Sequence, residues 1–97
     1  MDPVGDISAT DGVPVQVRYW AAIRAAAGVP AEQVGAGSLE QVLASARALH
    51  VDSARFASVL SVCSVLVDEQ PVGTRAPAEV AVPPGATVDL LPPFAGG

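Results

Sequence analysis

Residues 38–49, Ser-Leu-Glu-Gln-Val-Leu-Ala-Ser-Ala-Arg-Ala-Leu, carry the clearest secondary-structure signal of the chain. Ser38 and Gln41 have the spacing of a capping box, in which each side chain satisfies the backbone N–H of the other residue. Apolar side chains then recur at helical spacing on one face: Leu39, Val42, Leu43, Ala46 and Leu49. The pattern predicts a helix from Leu39 to Leu49 whose apolar face packs on a sheet.

Alternating apolar and polar residues predict strands before this helix. From Val13 to Trp20 the apolar residues Val13, Val15, Val17 and Tyr19 share one face, and Trp20 falls on the other. A second, shorter strand is predicted at Ala31–Gly35. Between them, the alanine-rich run 21–27 stops at Gly28 and Pro30, so we interpret it as a short turn-rich connector.

The second half of the chain predicts one short helix and a strand. Asp52 or Ser53 would cap a helical turn that runs to about Val59. The segment Val62–Val67 is dense in β-branched residues and predicts a central strand buried on both faces.

Turns and two further strands follow. Residues 68–71, Asp-Glu-Gln-Pro, predict a turn, residues 80–82 a brief strand, residues 83–85 a second turn and residues 87–91 the last strand. The element order predicts an α+β fold with one main helix across a mixed sheet. We expect one domain over residues 13–91, after a disordered acidic leader at 1–12 and before a flexible, extended tail at 92–97.

Composition excludes several function classes. The chain has 97 residues, 51% of them hydrophobic, and a net charge of −5, with five scattered arginines and no lysine. This charge disfavours binding to nucleic acid or to an anionic membrane. A single cysteine, Cys63, excludes an intrachain disulfide, and residues 1–12 do not resemble a signal peptide, so we expect a reducing, cytoplasmic location.

Few side chains are candidates for chemistry. His50, the only histidine, is interpreted as a partner of the helix dipole, Cys63 as a buried structural thiol, and Asp68 and Glu69 as a solvated turn. The pattern indicates no metal-ligand cluster and no bound cofactor. Trp20 stands out as an exposed aromatic residue, which is either covered by a loop or marks an interface.

The C-terminal segment Pro92-Pro93-Phe94-Ala95-Gly96-Gly97 directly follows the last predicted strand. The two prolines stop the strand and project the tail in an extended form. Glycines without Cβ atoms pass through a narrow channel and approach a nucleotide closely. The only reactive group of the tail is the carboxylate of Gly97, which needs activation, for example as an acyl-adenylate, in a site that a second protein supplies.

Two segments resemble the small subunit of molybdopterin synthase, a MoaD-like and ThiS-like sulfur carrier of the ubiquitin-like β-grasp superfamily. They are residues 15–28, with Trp20-Ala21-Ala22-Ile23-Arg24 in place of the family's F-A-x-x-R, and residues 88–97, Val-Asp-Leu-Leu-Pro-Pro-Phe-Ala-Gly-Gly. The resemblance covers about Val13 to Gly97. The turn at 84–87 and the bulky Phe94 depart from the family's pattern.

The resemblance implies a ubiquitin-like β-grasp fold and a chain that is not catalytic alone. Gly97 would be adenylated with ATP by a ubiquitin-activating-type enzyme and converted to a thiocarboxylate. The sulfur would go to cyclic pyranopterin monophosphate in the large synthase subunit, within a heterotetramer, during molybdenum cofactor biosynthesis. Pro92, Pro93, Phe94, Ala95 and Gly96 would position the tail, and Trp20, Arg24 and Leu91 would form the partner interface.

Three alternatives stay open. A sulfur carrier for thiazole or cysteine synthesis would use the same tail chemistry. A ubiquitin-like protein modifier would end in isopeptide bonds from Gly97 to other proteins. An interaction domain with an incidental glycine end would not depend on Gly97 at all.

Overall fold

The computed structural model describes residues 12–93. The predicted leader, apart from Gly12, and the tail from Phe94 onward lie outside these residues. The strands are β1 (Val15–Tyr19), β2 (Ala31–Val34), β3 (Gly37–Ser38), β4 (Ser64–Val67), β5 (Gln70–Pro71), β6 (Ala81–Val82) and β7 (Thr87–Leu91). The helices are α1 (Ala21–Ala27), α2 (Leu39–Leu49) and α3 (Ala54–Leu60), with a 3₁₀ turn at Pro77–Glu79.

Five strands form one mixed sheet in the order β2-β1-β7-β4-β5. The central strand β7 pairs parallel with β1 and antiparallel with β4. Strands β3 and β6 form a separate two-stranded ladder. The main helix α2 and the inward side chains of β1 and β7 share one apolar core. This confirms the predicted α+β architecture with a mixed sheet.

The capping box at the start of α2 is present as predicted. The Ser38 Oγ accepts a hydrogen bond from the Gln41 N–H at 3.1 Å, and the Gln41 Oε1 accepts one from the Ser38 N–H at 2.9 Å. Leu39, Val42 and Ala46 are fully buried. Leu49 is exposed, contrary to the prediction, because the helix ends there and the ring of the next residue, His50, packs inward on Phe56 instead.

The segment 21–27 is a helix, so its interpretation as a connector was wrong. Gly28 ends α1 rather than preventing it: its φ of 80° is left-handed, and its N–H donates to the Arg24 carbonyl at 2.9 Å. A left-handed glycine is a common C-terminal cap, and alanine has the highest helix propensity. Ile23 anchors the helix in the core.

The central strand was also misassigned. The segment predicted from Val62 is a strand only from Ser64, and β4 is half-buried rather than buried on both faces. Its sequence is apolar enough for a central position, but β7 takes that position through its parallel pairing with β1. A pairing between strands this far apart along the chain leaves no local signal.

Most of the remaining elements agree with the prediction. Residues 70–71 are an exception: predicted as part of a turn over 68–71, they form β5, because they pair with Val67 and Leu66 across a turn of only two residues. Strand β3 was not predicted. Strand β1 buries Val15, Val17 and Tyr19, although it starts two residues later than predicted and leaves Val13 exposed. Ser53 caps α3, since its Oγ accepts from the Phe56 N–H at 3.0 Å. Strands β2, β6 and β7 lie where the alternation placed them. No helix of the described range is long and apolar enough to cross a bilayer.

A tight turn at Asp68 and Glu69 joins β4 to β5. Both residues have positive φ, 48° and 69°, which is typical of a two-residue type I′ hairpin turn. Asp68 is held by a second contact, because its Oδ1 accepts from the Thr87 N–H at 2.9 Å. Glu69 is exposed, and no side-chain hydrogen bond of the described residues involves it.

Glu69→Gly is therefore expected to stabilise the protein. Glycine adopts the left-handed region without the steric cost of a Cβ, and that cost is about 1 kcal/mol. The free energy of unfolding, measured by urea denaturation, should rise by a fraction of this value because glycine also gains entropy in the unfolded chain. A fall in stability would show that the turn does not need this backbone conformation.

Candidate functional site

The candidate site lies where the central strand β7 leads into the C-terminal segment. Leu91, the last residue of β7, pairs with Ser64 of β4 and is half-buried. Pro92 is half-buried and Pro93 is exposed. Because proline has no N–H, neither residue donates a ladder hydrogen bond, and the sheet ends here. Phe94, Ala95, Gly96 and Gly97, predicted to complete the tail, lie outside the described residues.

Trp20 lies at the same end of the sheet. It follows Tyr19, whose partner in β7 is Leu90, so Trp20 stands level with Leu91. Its side chain falls on the sheet face opposite the helices, as the alternation predicted, and 43% of the residue is exposed. The structure thus brings Trp20 and Leu91 together at the root of the tail.

Arg24 is one helical turn further along α1. Its backbone N–H donates to the Trp20 carbonyl at 3.4 Å, so both residues belong to the same turn. Its side chain is exposed, and within residues 12–93 no ion pair or side-chain hydrogen bond involves its guanidinium. Of the three residues predicted as the partner interface, Trp20 and Leu91 therefore lie level at the end of β7, and Arg24 follows one turn of α1 after Trp20. Whether a partner binds them remains a prediction.

Asp89, which was not among the predicted site residues, holds this arrangement together. It is 3% exposed and is the only buried charged residue among residues 12–93. The Arg18 guanidinium donates to both of its oxygens, from Nε to Oδ1 at 2.6 Å and from Nη2 to Oδ2 at 3.0 Å. The Trp20 indole Nε1–H also donates to Oδ1, at 2.9 Å.

We call Arg18, Trp20 and Asp89 the tryptophan clamp. The Arg18 guanidinium carbon lies 5.7 Å from the centre of the Trp20 ring, within range of a cation–π contact. A fully hydrogen-bonded carboxylate of this kind is the form in which a buried charge is tolerated. The clamp therefore fixes the orientation of a half-exposed aromatic ring.

A local signal for the clamp exists in the sequence. Asp89 is the one charged residue in the apolar run 88–91, and alternation along β7 places it on the face opposite Val88 and Leu90. That is also the face of Arg18 on β1 and of Trp20 directly after it. Only the parallel pairing of Arg18 with Asp89, which the sequence does not reveal, brings the three side chains together.

The backbone next to Trp20 is strained. Ala21 has a φ of 51°, in the left-handed region that alanine rarely adopts, at a cost of about 1 kcal/mol. Ala21 is the first residue of α1 and directly follows the extended Trp20. Strain of this kind is retained where the surrounding contacts over-determine it, and it concentrates at functional sites.

The clamp makes acid stability depend on Asp89. The Arg18 hydrogen bonds hold the pKa of the Asp89 carboxyl below its usual value of 3.8, the Trp20 hydrogen bond adds to this, and burial opposes it. The folded protein therefore binds this proton less readily than the unfolded chain. The resulting stabilisation is fully present above the usual pKa and is lost as the pH falls through the lowered one.

Asp89→Asn is accordingly expected to weaken the dependence of the free energy of unfolding on pH in the acidic range. The free energy of unfolding of wild type should fall more steeply than that of the variant as the pH drops from 5 to 3, when both are measured by urea denaturation. Asp52→Asn, which removes an exposed carboxylate, should leave the steep limb in place. Parallel limbs for wild type and Asp89→Asn would contradict this assignment.

His50 has a different environment from the one predicted. It ends α2, but its Nε2 contacts the Glu32 Oε1 at 2.5 Å, and its ring stacks on Phe56 with centroids 4.4 Å apart. Tyr19 donates to the same Glu32 oxygen at 2.8 Å, and burial raises the pKa of the Tyr19 hydroxyl. This group ties β1 and β2 to α2 and α3 on the core side of the sheet, away from the clamp.

Cys63 is a protonated, half-buried thiol. It lies directly before β4 rather than within it, and its Sγ donates to the Val59 carbonyl at 3.4 Å. Burial raises the pKa of the thiol to about 11, so very little thiolate exists at neutral pH. It lines a groove of about 690 Å³ that none of the predicted interface residues enters. The interpretation as a structural thiol agrees with this environment.

Within residues 12–93, no three His, Cys, Asp or Glu side chains are grouped so that they could hold a metal ion. Asp68 and Glu69 are exposed in their turn, as predicted. What the site offers is a fixed aromatic ring, an exposed arginine and an apolar strand end, which suits contact with another protein.

Comparisons with known proteins concern the fold. No protein-family model and no curated protein sequence matches the chain. A solved structure of the small archaeal modifier protein 1 from Methanosarcina acetivorans is similar, with a TM-score of 0.70 and 20% identity over 88% of this chain and 97% of that one. Urm1 from Trypanosoma brucei matches with a TM-score of 0.60 and 14% identity, over 88% and 96% of the two chains.

A third similar structure is the complex of subunits 1 and 2 of molybdopterin-converting factor from Helicobacter pylori. One of its chains matches with a TM-score of 0.60 and 21% identity, over 87% of this chain and 99% of that one. At such identities the likeness establishes the architecture. The chain therefore has a ubiquitin-like β-grasp fold.

Proposed function

We propose that the chain is the sulfur-carrier small subunit of a molybdopterin synthase. The observation that carries the proposal is the end of the central strand. In a β-grasp sheet, β7 runs straight into Pro92-Pro93 and then, in sequence, into Phe94-Ala95-Gly96-Gly97, beside an aromatic ring held in place. A rigid sheet that presents a slim glycine terminus suits delivery of a carboxylate into a second protein's site.

The chemistry proceeds in two steps at Gly97. The carboxylate oxygen attacks the α-phosphate of ATP and releases pyrophosphate, and this forms a mixed anhydride in the adenylating enzyme. Hydrosulfide from the sulfur source then attacks the acyl carbon and displaces AMP, and loss of its proton leaves a thiocarboxylate. The first step turns a poor leaving group, the carboxylate oxygen, into a good one, AMP.

The thiocarboxylate sulfur then forms a bond to the acceptor, and water hydrolyses the resulting thioester, which leaves the sulfur on the acceptor and returns Gly97 to its carboxylate. In the proposed setting the acceptor is cyclic pyranopterin monophosphate, held by the large synthase subunit. A dithiolene contains two sulfur atoms, so two loaded chains are consumed for each product. The Helicobacter pylori complex joins subunits 1 and 2 of molybdopterin-converting factor, which supports a large-subunit partner for a chain of this fold.

A ubiquitin-like protein modifier is the second candidate. The small archaeal modifier protein shares the fold, and a terminal glycine serves both chemistries. The carrier and the modifier differ in the nucleophile that finally receives the activated acyl group of Gly97. This nucleophile is a sulfur atom in the carrier and the side-chain amine of a substrate lysine in the modifier. Higher-mass conjugates of the chain in cell extracts would favour the modifier.

Intact-mass measurement tests the proposal. The purified chain is incubated with magnesium-ATP, a ubiquitin-activating-type adenylating enzyme and a sulfur source. Replacement of one oxygen by sulfur should add about 16 Da, a shift that oxidation of a thiol imitates. A gain that requires both ATP and the enzyme supports the carrier. Absence of any gain with several competent enzymes would reject it.

A further inference from the structure

We propose that Asp89 is a positioning residue that turns Trp20 into an apolar docking anchor for the adenylating enzyme. This inference rests on the proposed function and names a feature of the partner. The partner's pocket for Trp20 is apolar and contributes no hydrogen-bond acceptor, and a carboxylate on its rim faces Arg24.

The first argument concerns the indole N–H. A tryptophan that becomes buried at an interface normally needs a partner for its Nε1–H, because an unpaired buried donor carries a desolvation penalty. Here the buried Asp89 carboxylate already accepts that hydrogen at 2.9 Å. The exposed remainder of the ring presents carbon atoms only, so it enters an apolar pocket without an unpaired donor.

The second argument concerns orientation. Asp89 is itself locked by two hydrogen bonds from Arg18, whose guanidinium also lies near the Trp20 ring. The strained backbone of Ala21 follows directly. A side chain fixed before binding loses less entropy when a partner closes over it. Asp89 belongs to β7, the strand that continues into the tail. The Trp20 anchor is therefore held rigidly to the end of this strand at Leu91.

The third argument concerns charge. The chain carries a net charge of −5, but the exposed charged side chain nearest the anchor on α1 is Arg24, one turn from Trp20. Arg18 is occupied by Asp89. A partner that matches this surface therefore places an acidic group opposite Arg24, whereas the rest of the acidic chain favours a basic neighbour.

The test compares two substitutions of Asp89. Asp89→Leu removes the acceptor of the indole N–H, whereas Asp89→Asn keeps an oxygen that accepts it. Trp20 is the only tryptophan, so its fluorescence reports the clamp without a label. In the free protein, acrylamide should quench Trp20 more strongly in Asp89→Leu than in wild type, and Asp89→Asn should resemble wild type. Asp52→Leu is the matched control, because it makes the same substitution at an exposed aspartate that does not belong to the tryptophan clamp.

The same variants are then tested in ATP-dependent loading by the adenylating enzyme. Asp89→Leu should raise the apparent KM for the chain about tenfold with little change in kcat, since an anchor, not a reacting group, is disturbed. Asp89→Asn should restore most of the affinity. Circular dichroism and urea denaturation check that each variant is folded.

A double-mutant cycle separates positioning from general stability. In a Trp20→Phe background there is no indole N–H to hold, so Asp89→Leu should change the apparent KM by less than about twofold. An equal effect of Asp89→Leu in both backgrounds would overturn the inference. So would a kcat effect without a KM effect, or unchanged quenching in the free protein.

Failure of the inference differs from failure of the proposed function. If wild type is loaded with sulfur but the Asp89 variants behave like Asp52→Leu, the carrier function holds and the anchoring role is wrong. If wild type itself is not loaded by any competent enzyme, the proposed function fails and the docking role fails with it.

Discussion

Deletion of Gly97 is expected to abolish loading of the chain with sulfur. The shortened chain still ends in a glycine carboxylate, but that group now lies one residue, about 3.5 Å, nearer the domain. Reaction with the α-phosphate of ATP requires the attacking oxygen within about 3–3.5 Å of phosphorus. A terminus held back by a whole residue misses this position while the domain remains docked.

The loading assay measures this effect as the initial rate of ATP-dependent mass gain. The deletion should lower that rate by at least about a hundredfold, the loss associated with small misplacements of reacting groups. Addition of one alanine after Gly97 should have a similar effect, because the carboxylate is displaced in the other direction. Asp52→Asn, which changes an exposed side chain only, serves as the positive control. A deleted chain that is loaded at the wild-type rate would contradict the role of Gly97.

The largest expected loss of stability comes from Phe56→Ala. Phe56 is completely buried on α3, and its ring stacks on His50 and meets Tyr19 edge-on at 5.5 Å. Truncation removes the aromatic contacts and leaves a cavity, at a cost of about 3–5 kcal/mol. Because small domains have a free energy of unfolding of only about 5–15 kcal/mol, the variant should lose a large share of its stability.

Urea denaturation of Phe56→Ala and Phe56→Leu measures this loss. Leucine fills most of the volume, so Phe56→Leu should cost far less than the alanine variant. His50 loses its stacking partner in both variants, and the difference between them reports the cavity. A loss below about 1 kcal/mol for Phe56→Ala would mean that α3 does not belong to the cooperative core.

Much of the fold could be predicted from local pattern. The Ser38–Gln41 capping box and the spacing after it located α2, and alternation located β1 and β7. The failures have physical causes. The helix α1 was missed because Gly28 was taken as a break rather than as its left-handed cap. The central position was predicted for β4 because its segment is dense in β-branched residues. The order of strands in the sheet decides which strand is central, and that order depends on pairing between distant parts of the chain.

The candidate site was predictable to a similar extent. Alternation placed Trp20 on the open face of the sheet, and family resemblance selected Arg24 and Leu91 as its neighbours. Asp89 was not predicted as a site residue, since its importance arises from two partners, one on β1 and one directly after it, that precede it by about 70 residues. A buried carboxylate in a central strand is unfavourable unless it is paired, so Asp89 implies a partner. Only the tertiary structure identifies which residues are its partners.

Peptide mapping of the loaded chain shows whether Gly97 itself carries the sulfur. Arg75 is the last arginine and the chain has no lysine, so trypsin releases residues 76–97 as one peptide without cysteine, methionine or tryptophan. After incubation with ATP, adenylating enzyme and sulfur source, that peptide should gain about 16 Da, and fragmentation should place the gain on Gly97. An unchanged 76–97 peptide, with the gain on residues 56–75 that contain Cys63, would identify oxidation and contradict the sulfur-carrier function.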